Sequence, residues 1–374
     1  MTRLSCVPGL LAAILTLLTA CAGPPPVREI RVYDAAFDRA RSAGQAVLDE
    51  AASAVAVKEQ AERADFGEGG GLYPESFDPE VASLDAETAV PDVIRVRYLA
   101  LQTVADYNEA LLALAEGRPL EQVQGQVATL GQTVEALLPL VGIAGGPLPG
   151  LAIGGLQSAI AAAETARERA AVERAILAAH ADVDGIIAAL IADTPDLYAL
   201  LRTRRELELD AIDREMGDIW RSMTRLASAH RAASGPTQIR QIVEIEHRAR
   251  STFASTTPPS QLGSLPVLTL TPASQGGAPL DAAAIQELGS HADRLEAAAA
   301  RYLKGVQAIR LAHNAMGEYV LLLRRARQAM HDLKAAVAAP PDANAVLMRI
   351  VDSGIELRHQ ADQVQRIVGA PRAR

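Results

Sequence analysis

Residues 281–338 read DAAAIQELGSHADRLEAAAARYLKGVQAIRLAHNAMGEYVLLLRRARQAMHDLKAAVA, with no proline and with apolar residues returning every three or four positions. Alanine, leucine, glutamate, arginine and glutamine dominate the stretch, and these side chains lose little rotamer freedom in a helix. It predicts one helix about 85 Å long at 1.5 Å per residue, ended by Pro340-Pro341. A helix of that length cannot bury its apolar stripe against itself and must lie against others.

The rest of the chain repeats the pattern. Downstream, 342–368 brings Val346, Ile350, Val351, Ile355, Val364 and Ile367 to one side. Upstream, helices are expected over 27–65, 92–141 with a pause at Gly117-Arg118-Pro119, 151–193, 195–233 and 237–253, with Asp193-Thr194-Pro195 capping the 195–233 helix. Tyr33, Phe37, Ala40, Ala43, Val47, Ala51, Val55 and Val57 line one face of the first helix, and Leu197, Leu201, Leu207, Ile212, Met216 and Trp220 form the stripe of the densely charged 195–233 helix. Glycine-rich 66–91 and Ser/Thr/Pro-rich 254–280 are expected to be loops. β-branched runs of strand length are nearly absent, and aromatic residues make up only 3% of the chain, so many small contacts must replace a few aromatic anchors. The expected fold is all-α, an elongated antiparallel bundle of long helices, occupying 28–369 as a single domain with a short tail at 370–374.

One stretch departs from this pattern. Residues 136–163, ALLPLVGIAGGPLPGLAIGGLQSAIAAA, carry no charged side chain, although charged residues make up 22% of the chain. The length would allow a membrane span. Pro139, Gly142, Gly145, Gly146, Pro147, Pro149, Gly150, Gly154 and Gly155 are expected to interrupt a helix, and a break exposed to lipid leaves backbone groups without partners. Two readings stand. In one, 145–150 is the turn of a helical hairpin whose flanks are covered by the bundle. In the other, Leu148, Leu151 and Ile153 sit at a protruding tip that meets lipid or a partner.

The first twenty residues hold one basic side chain, Arg3, and a continuous apolar run over 10–18, too short to span a bilayer as a helix. Leu18-Thr19-Ala20-Cys21 follows directly. This segment resembles the lipobox of bacterial lipoprotein precursors. The resemblance implies a signal peptide over 1–20, a Cys21 that takes a diacylglycerol and an N-acyl group, and a proline-rich tether over 21–27. Ala22, where an aspartate would stand for inner-membrane retention, implies the periplasmic face of the outer membrane. Cys6 would leave with the signal peptide and Cys21 would be acylated, so no thiol or disulfide chemistry is expected of the mature chain.

Motifs for catalysis are sparse. Gly67-Glu68-Gly69-Gly70-Gly71 lacks the Gly-Lys-Ser/Thr ending of a phosphate loop, and neither His-Glu-x-x-His nor Gly-x-Ser-x-Gly occurs. Two Glu-x-x-His pairs, Glu244/His247 and Glu356/His359, have the spacing that places two ligands on one helix face, as in di-iron bundles. Both pairs flank apolar stripes rather than lie within them, so solvated side chains are the expectation and no metal or other cofactor is assigned. The net charge of −9 argues against nucleic acid as a partner. The expected function is a non-enzymatic, lipid-anchored scaffold or adaptor for envelope protein partners. A membrane-interacting bundle using hairpin 136–163, pore-forming-like in outline alone, and a metal-binding bundle are the alternatives.

Overall fold

The computed structural model describes residues 27–65, 90–141, 153–229, 236–256, 282–338 and 343–369. These form helices α1 (Val27–Asp65), α2 (Asp92–Ala115), α3 (Leu120–Val141), α4 (Gly154–Thr165), α5 (Arg169–Ala192), α6 (Thr194–Ala229), α7 (Pro236–Thr256), α8 (Ala282–Ala338) and α9 (Ala343–Gly369). Among the described residues no strand occurs, and the all-α class holds. The helices gather into two compact units. The first holds α1 to Ala52, α2 to α5, α8 from Ala315, and α9; the second holds the remainder of α1, α6 from Leu197, α7, and α8 to Asn314.

In the first unit α2 packs on α3, α3 on α4, α4 on α5 and α5 back on α2, which closes an up-and-down four-helix bundle. Side-chain pairs fix the directions: Arg97 meets Asp193 while Tyr107 meets Ile176, so α2 and α5 are antiparallel. Gln124 meets Ala166 and Gly131 faces Ile160, so α3 and α4 are antiparallel too. The far side of α2 carries α1, through Tyr33 Oη donating to Asn108 at 2.8 Å and Gly44 lying against Leu101 and Tyr319 of α8. Buried on every side, α2 is the axis of the unit, and Ile94, Val96, Leu101, Val104, Leu111 and Leu112 supply its contacts. The expected stripe of α1 is buried from Tyr33 to Val55.

The second unit closes on Met216, Ile219, Trp220 and Met223 of α6, Ile242 and Ala249 of α7, and Leu288, Ala292, Leu295 and Ala298 of α8. Arg301 takes both oxygens of Glu215, and Tyr198 stacks edge-on to His313, which makes α6 and α8 antiparallel there. Alanine on α8 lets the axes approach.

Three local expectations are corrected. The helix expected over 151–193 is two helices, broken at 166–168, where Ala166 and Glu168 are extended. No glycine or proline marks this break. Instead, Gln124 of α3 donates to the carbonyls of Ala163, Glu164 and Ala166 at the end of α4. Arg169 of α5 donates to those of Leu114 and Arg118 at 2.8 and 2.6 Å. Side chains from neighbouring helices thus satisfy carbonyls that a helix end leaves open. Next, Asp193 is no side-chain cap for α6, because its carboxylate is spent on Arg97. Finally, Pro139 lies inside α3, which runs on to Val141. In the last turn, on an exposed edge, the missing N–H and ring clash are tolerated.

On α9 the buried face is Ile350, Leu357, Ala361 and Val364, while Ile355, expected on the stripe, is exposed. Gly354 sets this rotation. A Cβ there would lie 3.3 Å from Tyr33 Cα, so α1 backbone occupies the space. Gly354→Leu is expected to cost about 1–3 kcal/mol by overpacking, read as lost hydrogen-exchange protection in α9 and the first turns of α1. Unchanged protection would mean that α1 yields at no cost.

Candidate functional site

The most concentrated polar chemistry lies in the first unit, where α2, α5 and α8 meet. His180 and Asp184 are one turn apart on α5, and Arg327 and His331 one turn apart on α8, so each pair shares a face. Tyr107 Oη lies 3.2 Å from His180 Nδ1, His180 Nε2 lies 3.1 Å from His331 Nδ1, and His331 Nε2 lies 3.0 Å from Asp184 Oδ1. Arg327 donates through Nε and Nη2 to the two Asp184 oxygens. The result is an unbroken chain of hydrogen bonds from the buried Tyr107 to the half-exposed His331 and Arg327.

Counting protons gives this chain two self-consistent forms. With both imidazoles neutral, Tyr107 donates to His180, His180 to His331 and His331 to Asp184. Tyr107 Oη is also 3.2 Å from the Ile176 carbonyl. Giving its single proton there requires His180 to donate back from Nδ1, and His331 must then donate from both ring nitrogens as the imidazolium. Burial, then Lys334 and His331, push His180 down to about 4, so its neutral form dominates near pH 7. Hydrogen bonding from Arg327 holds Asp184 below the usual carboxylate range despite partial burial. Desolvation raises Tyr107.

Nearby on the α2–α5 seam, Arg97 and Asp193 form a fully buried, two-pronged ion pair, and Arg97 also donates to the Val93 carbonyl. Tyr319, fully buried on α8, lies within the field of both charges. Asp106 of α2 accepts from Gln102 and from Thr133 of α3. Arg97 and Asp193 satisfy each other, as do Asp106, Gln102 and Thr133, whereas the buried Tyr319 hydroxyl has no hydrogen-bond partner among the described residues. These bonds tie α2 to α5 and α3, and α5 to α8.

Of the residues singled out in the sequence, Cys21, Leu148 and Leu151 lie outside the described residues. Ile153 is 5% exposed, at the start of α4. The hairpin flanks Leu137, Leu140, Leu156 and Ile160 are buried beside it, while Leu138 faces outward. Glu244 and His247 are exposed on α7, beside a groove of about 710 Å³. Glu356 and His359 are exposed on α9, with Glu356 paired to Arg325 at 2.6 Å. Among the described residues no three His, Cys, Asp or Glu side chains are placed to hold one metal ion.

Sequence reading missed the His180–His331 chain. Its local signals were a histidine and an aspartate one turn apart in apolar α5 and an arginine and a histidine one turn apart in α8. By length and composition the stretch Arg169–Leu226 holds a window apolar enough to cross a membrane. Yet α5 buries Val172, Ile176, Val183, Ile186, Ile187 and Leu190, packs on α2 and α4, and carries the Asp184 ion pair. That is the pattern of a core helix. Compared with known protein families, with curated proteins and with solved structures, the chain matches none.

Proposed function

We propose that this protein is a lipid-anchored helical scaffold of the bacterial envelope, non-enzymatic, presenting helical faces to envelope protein partners from the periplasmic face of the outer membrane. The observation that carries the reading is Leu18-Thr19-Ala20-Cys21 at the end of a short apolar leader. The use to which the buried polar groups are put supports it: Arg97–Asp193 and the Tyr107–His180–His331–Asp184 chain join helices to each other.

Cys21→Ala tests the anchor. Wild-type chain is expected to take up labelled palmitate and to accumulate as a longer precursor under globomycin, whereas Cys21→Ala takes up no label. Equal processing and equal membrane fractionation of both would refute the lipoprotein reading. Crosslinking in intact cells followed by membrane extraction tests the scaffold reading, which requires a recurrent envelope protein adduct that is lost with Cys21→Ala.

A further inference from the structure

The two most exposed large apolar side chains among the described residues, Met348 at 61% and Ile355 at 57%, both lie on α9. Seven residues apart, they share one face, two turns from each other. Val32 of α1 is also exposed and lies along the same seam: a Cβ on Gly354 would come 3.8 Å from the Val32 carbonyl oxygen. Further on, Arg39 donates to Asp362 at 2.7 Å. Tyr33 opposite Gly354 and Arg39 opposite Asp362 make α1 and α9 parallel. Met348 therefore lies toward the beginning of α1, with Val32 and Ile355 just above it.

The chain itself argues for what covers this face. Val27, the first residue of α1, follows Cys21 by six positions, a span of at most about 21 Å even if fully extended. An acylated Cys21 thus holds the start of α1, and the exposed apolar face beside it, near the lipid surface. The tether raises the local concentration of bilayer so far that a small apolar contact suffices to dock. Arg349 and Arg358 of α9 are exposed and make no ion pair among the described residues, which suits phosphate headgroups. Asp352 and His359 share the outer face, so charge attraction is a minor contribution.

From this geometry we infer that Val32, Met348 and Ile355 form a lipid-contact face that lays the N-terminal end of the first unit on the phospholipid surface holding its own anchor. The inference rests on the lipid-anchor reading and adds to it a defined orientation. It also places membrane contact away from hairpin 136–163, on side chains that the structure leaves uncovered.

The test uses the acylated full-length product. Met348→Cys and Ile355→Cys, with Thr165→Cys on the exposed edge of α4 as control, are labelled with an environment-sensitive fluorophore. Each is reconstituted into phosphatidylethanolamine/phosphatidylglycerol vesicles with and without a nitroxide-bearing lipid. Emission at positions 348 and 355 is expected to shift to the blue and to be quenched at least twofold by the nitroxide, with position 165 unchanged. Equal behaviour at all three positions, or a blue shift at 348 and 355 without quenching, as a second copy of the chain would give, overturns the lipid face. Palmitate labelling of the same preparations is read separately. Labelled protein without quenching refutes the lipid face alone, and unlabelled protein refutes the anchor and the face together.

Discussion

Asp193→Ala is expected to cost about 3–5 kcal/mol, because it leaves the Arg97 guanidinium buried without its counter-charge. Arg97 and Asp193 are both fully buried, and among the described residues Arg97 is otherwise held only by the Val93 carbonyl. The loss should appear as collapsed hydrogen-exchange protection in α2 and α5, the two helices that the pair joins. The double substitution Arg97→Met/Asp193→Leu should restore most of the protection, since an apolar pair of similar volume carries no desolvation cost. A single Asp193→Ala variant with wild-type protection would mean that water reaches Arg97 and that the pair contributes little.

Acid should weaken the first unit in a defined window. His180 has its pKa lowered from 6.5 to about 4 in the folded chain, chiefly by burial. Between those values the unfolded chain binds a proton at this histidine and the folded chain does not. Stability therefore falls as pH drops from 6.5, and the contribution is gone below about 4. The total is on the order of 3 kcal/mol. Asp184 acts in the same direction at lower pH: Arg327 keeps it ionised when the unfolded carboxylate has begun to take up a proton, so its contribution is lost as pH falls through its depressed folded value. His180→Leu is expected to flatten the stability profile between pH 6.5 and 4, whatever its effect on stability at pH 7. A variant with the wild-type slope would show that the proton uptake belongs to other groups.

The long helices were legible because their signal is local. Alanine-rich 281–338 has a three-to-four-residue apolar period and a proline pair at its end, and α8 runs to Ala338 as those residues require. The same holds for Gly117-Arg118-Pro119, which separates α2 from α3. At Gly117 the backbone adopts a φ of 71°, the left-handed conformation that glycine enters without strain.

The break at 166–168 was not legible, because nothing in Ala166-Arg167-Glu168 opposes a helix. It exists because Gln124 and Arg169 reach across to neighbouring helix ends, and which carbonyls they meet depends on helix packing. The outward rotation of Ile355 has a similar origin, since an i+3/i+4 pattern marks an apolar face without saying where a partner's backbone will press. For the polar centre the gap is wider. His180/Asp184 and Arg327/His331 are separated by nearly 150 residues, and spacing within one helix cannot say which face meets which.

By itself, then, the sequence determined that this chain is all-α and where most of its helices begin and end. Those properties follow from backbone preference and short-range periodicity. Only the tertiary structure decided that α2 is the buried axis of a four-helix bundle and that its ionisable groups pair across seams. It also decided that Met348 and Ile355 face outward beside the start of α1. These depend on side chains distant in sequence sharing one space, where close packing and desolvation choose among faces that the sequence presents as equivalent.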